Sequence, residues 1–210
     1  MVACDCSGHQ SNPYPNTQDI KKKIVRFKYV SPLVLVRKPK AITERSGPDP
    51  NYIVGKPYKA KYKLAGDDAW RTIVVPVGML TDLASVPRLA RWYVGRVGRH
   101  LEAAILHDYL YLAWQDQRGG TANEEKRNFA DRLFFTAMDV AHVPYGKRWA
   151  IFKVVDLFGR RAFKSREKKR YVDVGEICKC KRKVRVVILS ENRRKNLRIT
   201  RVKRVSRISL

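Results

Sequence analysis

Hydrophobic and polar positions follow two different periods along this chain. From Lys21, KKKIVRFKYV alternates apolar with basic residues, and LVLV at 33–36 resumes after Pro32, which predicts two short strands or one bent strand. A loop containing SGPDPN and punctuated by Pro48 and Pro50 follows. Residues 52–64 and 70–77 give two more strand-like runs, separated by the turn AGDD. The period then lengthens. Leu101, Ala104, Ile105 and Leu112 recur at helical spacing on one face, and Ala103, Leu110, Tyr111 and Trp114 on the adjoining one. That pattern predicts a helix with two inward faces. After a Gly-Gly turn, Asn123 is the expected N-cap of a second amphipathic helix, with Glu124 and Glu125 in its positive first turn. Its apolar stripe is Phe129, Leu133, Phe134 and Ala137. Pro144, Tyr145 and Gly146 break the chain, and residues 147–163 predict a third amphipathic helix with Trp149, Phe152, Val155 and Phe158 in the core. The fold class is therefore α+β, a small antiparallel β-sheet with one wet, cationic face, followed by an antiparallel helix hairpin and a third helix.

The flanks differ in composition. Residues 1–19 are rich in Ser, Asn, Gln and Pro and read as an extended arm, residues 20–160 as the core domain, and residues 161–210 as a basic C-terminal extension. From Arg160 onward the chain holds 20 Lys or Arg against 4 Asp or Glu. The runs KVRVVIL and LRITRVKRV within it are β-prone, so strands that add to a partner's sheet are expected. Over all 210 residues, 45 Lys or Arg stand against 19 Asp or Glu, a formal charge of +26. Such a surplus implies a polyanionic neighbour, whether nucleic acid, an anionic membrane surface or an acidic protein in an assembly, and charge alone does not choose among them. No apolar run reaches the roughly 18 residues of a membrane span. The start MVACDCSGHQ lacks the charged and apolar regions of a secretory signal, so the expected compartment is the cytoplasm or a particle assembled there.

Candidate chemistry centres on the first helix. His107 and Asp108 lie among apolar residues, where a carboxylate needs a hydrogen bond, an ion partner or a metal. Two helices joined by a short loop pack antiparallel, which brings Asp131 of the second helix back towards His107. Upstream, TDLASVPR reads as a tight, side-chain-bonded turn built on Thr81, Ser85, Pro87 and Arg88. Asp82 within it either caps backbone amides or serves as a second carboxylate near the His107 helix. Cys4 with Cys6 and Cys178 with Cys180 form two close pairs, spaced by one residue rather than the two to four usual for zinc. The alternatives are a four-thiolate zinc site, four reduced surface thiols, or disulfides in an extracellular particle. His9, His100 and His142 read as surface or cap residues.

GMLTDLASVPR, AAILHDYLY and FADRLFF, in this order and spacing, resemble the bacteriophage and prophage domain-of-unknown-function family 1353, over about residues 55–160. The resemblance implies a viral or prophage origin and a link to particle structure or lysis. A second, local similarity is to phospholipases of the A-two class, whose helix pair carries His-Asp, a Tyr three residues on and a further Asp. It implies His107 as general base on a water, Asp131 orienting its imidazole, and Asp108, with Asp82, holding a calcium ion that stabilises the oxyanion. The chain departs from those lipases where they place a glycine-rich calcium loop, because TDLASVPR and WYVGRVGRH stand there instead. A buried His-Asp pair that merely locks the hairpin is the structural alternative.

Three functions follow in order of expectation. The first is a virion-associated structural or adaptor protein of the tail or head-tail region, its cationic arms bound to neighbouring subunits of an assembly. The second is a metal-dependent hydrolase of lipid or cell-wall substrate, and the third a nonspecific nucleic-acid-binding protein, for which charge is the one argument. The balance leans away from an enzyme. No cofactor is expected, the alternatives being calcium at Asp108 and zinc at the cysteine pairs. The expected location is the virion, or the host cytoplasm before assembly.

Overall fold

The computed structural model describes residues 12–37, 52–81, 98–166 and 170–172, with the backbone of 186–187. In chain order the strands are β1 (Ile24–Tyr29), β2 (Leu35–Arg37), β3 (Tyr52–Val54), β4 (Tyr58–Leu64), β5 (Arg71–Val75), β6 (Leu80–Thr81) and β7 (Val186–Val187). The helices are α1 (Leu101–Ala113), continued by a short 3-10 turn at Trp114–Asp116, α2 (Glu124–Val140) and α3 (Tyr145–Lys164). The α+β class holds, with two small antiparallel sheets in place of the single one expected.

The first sheet has the order β1-β4-β5. Strict alternation in β4, YKAKYKL, turns Tyr58, Ala60, Tyr62 and Leu64 inward and three lysines outward. In β1 the apolar residues Ile24 and Phe27 are an odd number of positions apart, which a regular strand would send to opposite faces. A bulge between Ile24 and Arg26 inserts one extra residue, the exposed Val25, and so sets Ile24 opposite Leu64 and Phe27 opposite Tyr62 on one buried face. That face packs on α1 and α2. Tyr62 meets Phe129 at 5.5 Å between ring centroids, and the Tyr29 hydroxyl donates to the Ala137 carbonyl at 2.8 Å.

The second sheet has the order β6-β3-β2-β7. It is reached through Gly78, whose φ of +86° is open to glycine at little cost and whose missing side chain leaves room for the Val172 carbonyl. Thr81, at the end of β6, donates through Oγ1 to Asp108 Oδ2 at 3.0 Å and so ties this sheet to α1.

Helix α2 begins as expected, with the Asn123 side chain accepting from the Glu125 amide at 2.8 Å. Helices α1 and α2 form the antiparallel hairpin, and α3 packs along α2. Only Ile151, Val155, Gly159 and Phe163 of α3 are buried, a narrow stripe spaced by fours. Trp149 and Phe158, expected in the core beside Val155, are 50% and 53% exposed, and Phe152 is half-buried. The reason is geometric: α3 carries apolar residues almost all round, and the hairpin offers it one contact line.

The described parts of the two flanks, residues 12–19 and residues 161–166, 170–172 and 186–187, make contacts with the domain. Residues 12–19 do not extend away as an arm. Tyr14 is buried, edge-on to Phe129 at 6.4 Å with its hydroxyl donated to the Leu110 carbonyl, and Asp19 pairs with Lys22 and Arg71. The boundary expected at residue 160 falls inside α3. Beyond it, Tyr171 bridges to Met79, Val172 N–H donates to the Gly78 carbonyl at 2.9 Å, and Leu80 N–H to the Arg170 carbonyl at 2.9 Å. The pair Val186–Val187, expected to extend a partner's sheet, pairs with β2 of the same chain. Open N–H and C=O groups on a sheet edge are satisfied by the nearest matching segment, here one within the chain.

Candidate functional site

His107 sits in the middle of α1 and Asp131 in the middle of α2, where the antiparallel crossing brings the two helices side by side. His107 Nε2 lies 2.9 Å from Asp131 Oδ1. The carboxylate can only accept, so Nε2 carries the proton. Asp131 gathers two further donors. The Tyr111 hydroxyl, one turn beyond His107, donates to the same Oδ1 at 2.7 Å, and Arg127, one turn before Asp131, donates through its NH1 group to Oδ2 at 2.8 Å. Arg127 in turn gives Nε and its NH2 group to Glu124 Oε1 at 2.9 and 2.7 Å. The five side chains thus form one chain of charge-assisted bonds running from α1 across to the first turn of α2.

The cluster is dry. His107 is 4% exposed and Asp131 3%, with the imidazole lying 4.1 Å from the Tyr111 ring and 4.7 Å from the Phe134 ring between centroids. Burial pushes the Tyr111 hydroxyl pKa up, and the Asp131 charge and hydrogen bond push it further, so the phenol stays protonated and donates. Burial works against the Arg127 charge, but Glu124 and Asp131 outweigh it and the guanidinium pKa is raised. The Arg127 bond, in turn, lowers the Glu124 pKa.

Helix α3 closes the third side. Gly159 lies against Tyr111 so tightly that a methyl group on it would come within 2.5 Å of the phenolic oxygen, and Phe163 meets the Tyr111 ring edge-on at 5.0 Å. Glycine here is a packing choice, since only a bare Cα lets the helix approach a hydroxyl already committed to Asp131.

Of the residues singled out by sequence, His107 and Asp131 meet. Asp108 does not join them: the next residue on a helix lies about 100° further round, and its carboxylate takes the Thr81 hydroxyl instead. Asp82, Ser85, Pro87, Arg88, Cys4, Cys6, Cys178 and Cys180 lie outside the described residues. Among the described residues no group of three His, Cys, Asp or Glu side chains converges as a metal site. His100 is the N-cap of α1, buried rather than at the surface, and His142 follows α2 with a φ of 55°.

Sequence reasoning missed Arg127, Glu124 and Gly159. The signal for the first two was present, since Glu124, Arg127 and Asp131 stand at i, i+3 and i+7 on one helix face. It was hidden by the abundance of arginine elsewhere.

No curated protein and no solved structure matches the chain. One family model does: residues 58–155, which carry the first sheet's β4 and β5, the Thr81–Asp108 tie and the whole of the His107, Tyr111, Glu124, Arg127 and Asp131 cluster, match the family described as protein of unknown function, DUF1353.

Proposed function

We propose that this chain is a virion-associated structural or adaptor protein of a bacteriophage or prophage, set in the tail or head-tail region and held there by its cationic surface against neighbouring subunits. The observation that carries the reading is the way Asp131 is held. Three donors on two helices engage both of its oxygens in a buried site, which is how a carboxylate is built in to fix a helix crossing. A charge of +26 supports the same reading, because it requires a polyanionic surrounding that an assembled particle supplies. Among the described residues no helix is long and apolar enough to cross a membrane. The test is the composition of purified particles from the phage or prophage that encodes the chain. Peptides of this chain should be recovered at a fixed ratio to the other particle proteins, with its lysines cross-linking to acidic residues of adjacent subunits. Intact, infectious particles without the chain would refute the proposal.

A second reading is favoured by the 2.9 Å contact between His107 Nε2 and Asp131, the pairing that the phospholipase resemblance implies. In that hydrolase, His107 would take a proton from water while Asp131 steadies the ring, and Asp108 would hold the calcium. His107→Asn separates the two. A lock loses melting temperature, whereas a catalytic base loses turnover on phospholipid vesicles and keeps its melting temperature.

A further inference from the structure

The outward face of the first sheet carries a set of closely spaced cations, of which Lys63 also donates to the Asp68 carbonyl of the β4–β5 turn. Alternation in β4 places Lys59, Lys61 and Lys63 on that face, and the register with β1 sets Lys61 opposite Lys28 and Lys63 opposite Arg26. Like charges directly opposed across a strand pair weaken it. Among the described residues none of these five forms an ion pair with a carboxylate. Lys28 Nζ instead stands 4.3 Å and Lys63 Nζ 5.6 Å from the centroid of the Trp70 ring, which steers both cations along the sheet surface. A sheet that places like charges in register and leaves them without counter-charge gives up stability for something outside itself.

We propose that this face binds the sugar-phosphate backbone of nucleic acid, with Arg26, Lys28, Lys59, Lys61 and Lys63 as the phosphate contacts. The dimensions suit that ligand. From Lys59 to Lys63 β4 rises about 13 Å, at about 3.3 Å per residue, and a B-form strand presents a phosphate about every 3.4 Å along its axis, or roughly four over the same length. The composition suits it as well. A docked protein is held by apolar and aromatic anchors at the centre of the contact, and lysine is depleted there. Here the centre is Lys61, flanked by Lys28 on β1 and Thr72 on β5, and surfaces that take nucleic acid are the ones this cationic. Phosphate contacts position without reading bases, so binding is indifferent to sequence. This face belongs to the folded domain and is separate from the basic C-terminal extension.

The test uses the full chain with Arg26, Lys59 and Lys61 all replaced by Gln, beside a control in which the exposed α3 residues Lys153, Arg161 and Lys164 are all replaced by Gln. Affinity for a short fluorescent DNA duplex of arbitrary sequence is measured across salt concentrations. The sheet variant should lose roughly 2 to 3 from the slope of log affinity against log salt, at about 0.9 per phosphate contact, while the control loses less than about one. Its melting temperature should equal or exceed that of the parent, because the Lys28–Lys61 opposition is relieved. Should the triple variant fail to fold, Lys59→Gln alone is read for a slope loss of about one. A sheet variant with the parental slope, or a control that loses as much, overturns the proposal. So does a sheet variant that loses binding to polyglutamate but keeps DNA, which would assign the face to an acidic protein.

Discussion

Replacing Asp131 with Asn is the sharpest test of the helix lock. The shape is conserved, but the charge is removed and one acceptor oxygen becomes a donor. Facing Oδ2 is Arg127, whose side chain is 7% exposed. An amide oriented to keep Oδ1 for His107 and Tyr111 turns its NH2 towards that guanidinium, and donor meets donor. Removing one partner of a buried ion pair costs about 3 to 5 kcal/mol, since the remaining charge is stranded without water. For a chain of this length each kcal/mol moves the melting temperature by about 2 to 4 °C, so the expected loss is about 6 to 20 °C. Asp156→Asn is the internal control, because Asp156 approaches the same arginine at 3.8 Å but is 46% exposed. Solvent screening leaves such a pair worth about 0 to 1 kcal/mol. Calorimetry or urea denaturation followed by far-ultraviolet circular dichroism reads both variants. Parental stability of Asp131→Asn, or a loss no larger than that of Asp156→Asn, would refute the lock.

Further outcomes follow from the same geometry. Gly159→Ala should destabilise by about 1 to 3 kcal/mol by driving the Tyr111 hydroxyl off Asp131, and in a urea-denaturation double-mutant cycle the addition of Tyr111→Phe should cost less than the two changes summed, because the clash and the bond share one oxygen. Tyr109→Phe should hold or raise the melting temperature, since the buried Tyr109 hydroxyl has no hydrogen-bond partner among the described residues. Asp19 is held down to a pKa of about 2 by hydrogen bonds from Lys22 and then Arg71. A depressed carboxylate stabilises the fold above its unfolded pKa of about 3.9 and loses that contribution as pH falls. The melting temperature should therefore drop between about pH 4 and pH 2, and drop less steeply in Asp19→Asn.

What could be read in advance, and what could not, divides by the range of the interactions. The hairpin was legible because its cause is local: helical spacing in LEAAILHDYLYLA, an Asn cap and acids in the next first turn, and a short loop that fixes an antiparallel return. Once the hairpin stands, His107 and Asp131 have little freedom to miss each other. Orientation of α3 was not legible, because a helix with apolar residues on several sides does not say which stripe meets the core; Gly159, the smallest residue, decides it by allowing Tyr111 close. The N-terminal segment reads as polar and turn-rich on average, yet single apolar residues, Tyr14 and Ile20, suffice to anchor it. The bulge at Val25 was likewise hidden, since it exists to reconcile two strands whose patterns disagree by one position.

The return of residues 170–172 onto Met79 and Leu80 bears on how the chain comes to be folded. Leu80 is held on one side by Ile53 and on the other by Arg170, so the second sheet is finished only by residues that follow all three helices. Tyr14 likewise has its hydroxyl partner 96 positions downstream. Closures of such long sequence separation carry a large entropic cost before they yield contact energy, and they slow the search for the native state. On a ribosome the hairpin can form as soon as α2 has emerged, while β6 waits for the synthesis of α3 and the segment beyond it. During that interval Met79 and Leu80 present an open, apolar strand edge, and the chain is at its most vulnerable to pairing with another copy of itself.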